Sequence, residues 1–216
     1  MRQSRIWNKA IMFLFIITII SSPVVAIAAD GIDLRITIRD FKADGVLFDS
    51  NRVPAERGLV EERLGVDKKP VLVSQRWLTL CPEYTQANLD ALFNDVAGIN
   101  LRATKALTLL NEGNGYYSTD PLIYNGNFFP IDNELFGNEG RAHNFHFTTE
   151  LHASFIYQGF EELEFTSDDD GWVFIDNKLV IDRGGLNSAG TPVKILLPDF
   201  FGHEYLNMRK NWMCPE

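Results

Sequence analysis

Cysteine is nearly absent: Cys81 and Cys214 are the only two in 216 residues. That is too few for the dense disulfide framework of a small secreted scaffold or for a thiolate-built structural zinc site. Basic charge is also short. Twenty Lys and Arg stand against 29 Asp and Glu, a formal net charge of -9, which leaves no surplus to neutralise nucleic-acid phosphates or an anionic membrane surface. The sequence has no internal repeat, no low-complexity tract and no second composition block. It also lacks G-x-S-x-G, H-E-x-x-H and a phosphate-cradling glycine loop, so the common hydrolase, zinc-protease and nucleotide chemistries have no anchor. What remains is 45% hydrophobic and 23% charged, with 16 Phe. This is the composition of a folded domain held by an aromatic-rich core.

The amino terminus reads as a targeting segment. Arg2, Arg5 and Lys9 precede an apolar run over residues 10–20, then Ser21, Ser22 and Pro23, then Ala26-Ile27-Ala28. Basic, apolar and small-residue regions in that order predict a secretory signal over residues 1–28, cleaved after Ala28. The competing reading is an uncleaved membrane anchor, because residues 10–29 carry no charge and as a helix would span roughly 30 Å. Cleavage leaves residues 29–216 as a single domain with 17 basic and 29 acidic residues. Such a surface suits calcium or a neutral sugar better than a polyanion. The expected location is therefore extracellular or periplasmic.

Within that domain, Leu34 to Arg39 alternates apolar and polar as a half-buried strand does. Residues 44–69 are mostly polar and predict a long surface excursion. Leu89, Leu92, Phe93 and Val96 recur at helical spacing, predicting a short amphipathic helix ended by Gly98. From residue 111 onward the texture is all β, with loops at 111–115 and 136–140. In residues 145–155 the odd positions are mainly apolar, so His146 and His152 are expected to face outward, roughly 20 Å apart along the strand. They cannot share a metal there, and His143 would have to come from a turn to pair with His146. Farther on, Leu163-Glu164-Phe165 predicts a strand. Trp172 to Ile175 and Leu179 to Asp182 predict a hairpin turning at Asp176-Asn177.

Between those strands lie Asp168, Asp169 and Asp170. Neighbouring side chains on a regular strand face opposite ways, so two adjacent carboxylates meet one ion only where the backbone leaves strand geometry, at a turn or a cis peptide. A hard, doubly charged cation would offset the carboxylate repulsion. Calcium fits this donor set, whereas zinc favours His or Cys. The spacing is not that of an EF-hand loop. The alternative is a solvated acidic hairpin end with no ion.

The stretch from Asp168 to Gly185, with Trp172-Val173-Phe174-Ile175, Lys178-Leu179, Asp182 and Gly184-Gly185, resembles the D-D-D-x-W-V-F-I-x-G-K-L-x-x-D-x-G-G signature of the fibro-slime family. These secreted modules are related to the amino-terminal sandwich domain of anthrax protective antigen, the PA-fourteen fold. Ile38 to Phe41, Leu92 to Asn100, Phe129 to Asp132 and Asn144 to Thr148 agree in order with the same family, so the resemblance runs from about Leu34 to Gly185. It implies a mainly β, jelly-roll-like antiparallel β-sandwich with one or two short helices. In its sugar-binding relatives, such as yeast flocculins and epithelial adhesins, the first two aspartates of the motif hold calcium through a cis peptide. By position these are Asp168 and Asp169, with Asp170 supporting the loop. Leu186-Asn187 departs from the family pattern, which has a small residue or Val and then His; Asn187 still offers an amide oxygen as a metal or ligand contact. The aromatic-x-E-R segment and final strand of the family are not found before Glu216, so the expectation is a domain truncated at its carboxy terminus with an incomplete sheet edge.

Together these features imply a secreted, calcium-dependent carbohydrate-binding or adhesion module at a cell surface or matrix. Two vicinal sugar hydroxyls would meet the ion, and residues 111–119 and 186–191 are the candidate neighbouring loops. The alternative is a non-catalytic structural or protein-interaction scaffold with a structural calcium. A glycosidase is the third class, disfavoured because adjacent residues rarely place two carboxyls the ~5–9.5 Å apart that its chemistry needs. A Cys81–Cys214 bridge would stabilise by about 4–5 kcal/mol; the alternative is two separate thiols.

Overall fold

The computed structural model describes residues 10–17, 31–45, 57–73, 85–120, 123, 127–184 and 192–200. The fold is mainly β. The strands are β1 (Ala10–Ile17), β2 (Gly31–Phe41), β3 (Asn100–Gly113), β4 (Tyr116–Ser118), β5 (His146–Ala153), β6 (Glu162–Phe165), β7 (Gly171–Ile175), β8 (Lys178–Arg183) and β9 (Val193–Leu196). The helical elements include a 3-10 turn at Ala43–Gly45 and helix α1 at Gln86–Phe93, and residues 198–200 are helical as well. Seven strands form one sheet in the order β4-β3-β2-β5-β1-β7-β8, and β6 pairs with β9 in a second. All pairings are antiparallel except those of β1, which runs parallel to both β5 and β7.

Side-chain alternation splits the core between the two faces of the large sheet. On one face, Phe41, Trp172 and Phe174 pack with Leu89, Leu92 and Phe93 of α1. On the other, Ile36, Ile38, Leu107, Phe147 and Leu151 form one cluster. Val173, Ile175 and Ile181 join Phe165 and Leu197 in another, which fills the space between the β7–β8 hairpin and the β6–β9 sheet.

Three expectations need correcting. The 44–69 segment is not all surface: Leu59 and Val60 are buried in the α1-side cluster. Bridges from Val60 to Leu72 and from Arg63 to Lys178 tie the segment down. The helix stops at Phe93, short of Val96 and Gly98. Its end is closed by asparagines: Asn94 Nδ2 donates to Asp90 O at 2.9 Å, and Asn100 Nδ2 donates to Ala91 O at 2.8 Å and Asn94 O at 2.9 Å. Carbonyls that a further turn would have used are thereby satisfied. Finally, His146 is buried and does not face outward. Its face of β5 is roofed, with Thr148 Oγ1 donating to Leu92 O of α1 at 2.6 Å.

The β7–β8 hairpin forms as the pattern predicts. Asp176 and Asn177 have φ of 50° and 62°, the left-handed pair that a two-residue turn needs to match strand twist. Residues 10–17 of the expected leader form β1, while 1–9 and 18–30 lie outside the described residues, as do Cys81 and Cys214.

Candidate functional site

The aspartate loop is built by the way β6 hands over to β7. The chain leaves β6 at Phe165, turns through residues 166–170, and enters β7 at Gly171. A Cβ on Gly171 would sit 2.6 Å from Ser167 Oγ and 2.8 Å from Phe165 Cε1. Only glycine lets the turn fold back this closely on the strand. Buried Ser167 donates from Oγ to Asp169 O at 2.9 Å, fixing the loop from inside. The peptide bond between Asp168 and Asp169 is cis. All three aspartates are half-buried, and Asp168 Oδ1 is closed off from solvent.

Two residues that the sequence reading did not single out support this loop. Arg183 pairs with Gly171 across the hairpin and is buried. Its Nη2 donates to Ser167 O at 3.4 Å. Burial pushes the guanidinium pKa down, the positive charge of Arg57 adds to that, and the Asp168 carboxylate pushes it back up. Asp182 is a clamp: Oδ1 accepts from Trp172 Nε1 at 3.1 Å and Gly184 N at 3.0 Å, and Oδ2 accepts from Gly58 N at 2.6 Å. It joins the start of β7, the glycine turn after β8 and the 57–60 segment. The D-x-G-G run carries a trace of this role, since an acid just before two glycines can accept from the amides of the turn.

The structure brings Asp168, Asp169 and Asp170 together in one loop. Asn187 and residues 186–191 lie outside the described residues. The other candidate loop is largely the β3–β4 hairpin, separated from β7 in the sheet order by β2, β5 and β1. The donor chemistry suits a hard cation: two neighbouring carboxylates, with no His or Cys in the loop. Among the described residues, no group of three or more His, Cys, Asp or Glu is arranged to hold a metal. The two carboxylates would therefore need amide, main-chain or water oxygens to complete a shell.

The three histidines among the described residues each lie near a carboxylate. His143 Nδ1 lies 2.6 Å from Asp132 Oδ2, with the ring stacked on Phe129 at 4.0 Å. His146 Nδ1 lies 3.6 Å from Glu139. His152 Nε2 lies 2.6 Å from Oε1 of Glu150, which is only 4% exposed. Glu150 also accepts from Arg39 Nη1 at 2.8 Å and from Lys69 Nζ. Burial pushes the Glu150 carboxyl up, but hydrogen bonds from His152, Lys69 and Arg39 outweigh it and hold the pKa at about 2. Arg39 reaches Asp95 as well, with Nε 2.9 Å from Oδ1. This charge cluster ties Lys69 of the 57–73 segment, and Asp95 just after α1, to β2 and β5 of the large sheet.

Comparison with known proteins finds similarity to proteins of Dictyostelium discoideum. The chain is 34% identical over 151 residues to protein psiQ of Dictyostelium discoideum, covering 62% of this chain and 14% of psiQ. It is 35% identical over 148 residues to psiD of the same organism, covering 62% of this chain and 28% of psiD. The similarity to psiE is 48% over 91 residues, covering 36% of this chain and 18% of psiE. The matched stretch thus spans less than a third of the length of these relatives. No protein-family model matches it, and no solved structure does.

Proposed function

We propose that the chain is a secreted calcium-dependent carbohydrate-binding or adhesion module of fibro-slime type, acting at a cell surface or matrix. The observation that carries this reading is the half-buried aspartate loop at 168–170, locked by Ser167, Gly171 and Arg183 at the mouth of a core strand. Asp168 and Asp169 would hold the cation, Asp170 would brace the loop, and the Asn187 amide oxygen would complete the donor set. A bound calcium would supply open positions that attract vicinal sugar hydroxyls. The chain's own part is to fix two carboxylates in a pre-built loop, so that little ordering is left for the moment of binding.

A second reading follows from Arg183. Its buried guanidinium, interacting with Asp168, supplies part of the countercharge from within the fold. The module is then a non-catalytic scaffold in which an ion is at most structural.

The test is the melting temperature of the purified chain with calcium and with chelator, beside a glycan array run under both conditions. A calcium-dependent rise in Tm is expected by mass action, lost in Asp168→Ala and Asp169→Asn, with array signals that vanish in chelator. A wild-type chain that shows no thermal shift, or variants that keep it, would sink the metal reading. A shift without any glycan signal would favour the scaffold.

A further inference from the structure

Arg57 is an exposed cation in a chain that has only 20 basic residues against 29 acidic ones. The chain just after it is fixed. Gly58 has a φ of 85°, which favours glycine, and its N donates to Asp182 Oδ2 at 2.6 Å. Leu59 and Val60 then enter the core on the α1 side. The amide that donates to Asp182 is the one joining Arg57 to Gly58, so the Arg57 main chain is held at the end of β8. There Asp182 also accepts from Trp172 Nε1 and Gly184 N. The next residue, Arg183, pairs with Gly171 and donates to Ser167 O at 3.4 Å, which are the residues that close the aspartate loop.

The Arg57 side chain is felt at the same place. The Arg183 guanidinium titrates below its ordinary value chiefly because it is buried; the charge of Arg57 lowers it further, and that of Asp168 raises it. Arg57 and Asp168 therefore act on one buried group. Toward Arg183 the charge of Arg57 is a cost, since like charges repel. What it offers faces outward: a planar fork of N–H donors matched to a carboxylate, beside aspartates that suit a hard cation. A ligand that satisfies both carries hydroxyls and one carboxylate. The net charge of -9 disfavours a long polyanion, but a single carboxylate responds to the charges within a Debye length, roughly 8–10 Å.

We propose that Arg57 is a specificity-determining residue of the aspartate-loop site and that the saccharides it selects are uronic acids. Its guanidinium pairs with the C6 carboxylate of a sugar held at Asp168 and Asp169. The inference rests on the calcium-dependent sugar reading above and narrows it from carbohydrate in general to sugars that carry one carboxylate.

The experiment is calorimetric titration of the full chain, with calcium and with chelator, against pairs of methyl glycosides that differ only at C6: glucuronide and glucoside, galacturonide and galactoside, mannuronide and mannoside. In calcium, at least one uronide should bind the wild type about tenfold more tightly than its neutral partner, the scale of one charge-assisted contact. Arg57→Gln should bring that ratio to about one. Arg57→Lys, which keeps the charge but not the fork, should restore part of it. Calcium affinity, read from the Tm shift, should rise in Arg57→Gln because a neighbouring positive charge is removed. A wild-type ratio near one, or a ratio that Arg57→Gln leaves unchanged, would overturn the proposal while the sugar reading stands. A calcium affinity that falls in Arg57→Gln would do the same, since Arg57 would then be a support of the loop. If no glycoside of any pair binds, the sugar reading fails and the proposal with it. A uronide preference that persists in chelator and disappears in Arg57→Gln would support the arginine contact and sink the calcium reading instead.

Discussion

Replacing Glu150 with Gln tests whether the buried charge cluster holds the sheet to its roof. The carboxylate is only 4% exposed and meets Arg39, Lys69 and His152 at once. Its pKa is held at about 2 against 4.5 for the free group. At ~1.4 kcal/mol per pH unit, that depression corresponds to roughly 3 kcal/mol of folding stability near neutral pH. An independent argument gives a similar size: removing one partner of a buried ion pair costs about 3–5 kcal/mol, because the remaining charge is left uncompensated. Glu150→Gln keeps the shape and removes the charge, so a loss of about 3 kcal/mol is expected in urea unfolding near neutral pH. Because the folded pKa is depressed, the contribution is complete above the unfolded value of 4.5 and drains away as the pH falls toward 2. The stability gap between wild type and variant should therefore narrow across that window and nearly close at its lower end. A gap that stays constant from about pH 6 to pH 2 would show that the charge carries no linked stability, and the cluster would reduce to shape packing.

Two further substitutions probe the loop supports. Gly171→Ala places a methyl 2.6 Å from Ser167 Oγ and 2.8 Å from Phe165 Cε1, so it should lower the urea midpoint by the equivalent of about 1–3 kcal/mol; an unchanged midpoint would mean that the loop is free to move away. Asp182→Ala takes the acceptor from the Trp172 indole and from two backbone amides, which should cost about 2–3 kcal/mol, with Asp182→Asn losing less because it keeps one acceptor oxygen; equal losses in both variants would count against the clamp.

Local signals made part of the fold legible. The β7–β8 hairpin could be placed from its apolar runs and its Asp-Asn turn, because strand period and turn chemistry are both short-range. The β2 alternation and the aspartate loop could be read for the same reason. The burial of His146 and Glu150 could not be read: whether the polar face of a strand is solvated depends on what roofs it, and the partners of Glu150 include Lys69 and Arg39, 81 and 111 positions away. Leu59 and Val60 were illegible for a related reason, since two apolar residues in a polar stretch give no period to detect. Around the site, the carboxylates announced themselves by sequence, while Arg183 and Asp182 gained meaning only once the hairpin set them against Gly171 and Trp172. The helix end was misplaced because Asn100 caps it from the next strand, a contact that composition does not encode.

The apolar amino-terminal run shows where pattern reading reaches its physical limit. A membrane core and the middle of a two-faced sheet make the same demand, that no side chain be polar. Residues 10–17 satisfy both, so their composition cannot choose between them. The sheet adds a constraint that a bilayer lacks. β7 has β8 on one edge and β1 on the other, and its first residue, Gly171, is also the residue on which the aspartate loop closes. A strand held on both edges presents that loop from a fixed frame, whereas a strand held only by its own hairpin frays from the open edge inward. The edge pairing of β7 and the closure of the loop therefore meet on one short strand, Gly171–Ile175.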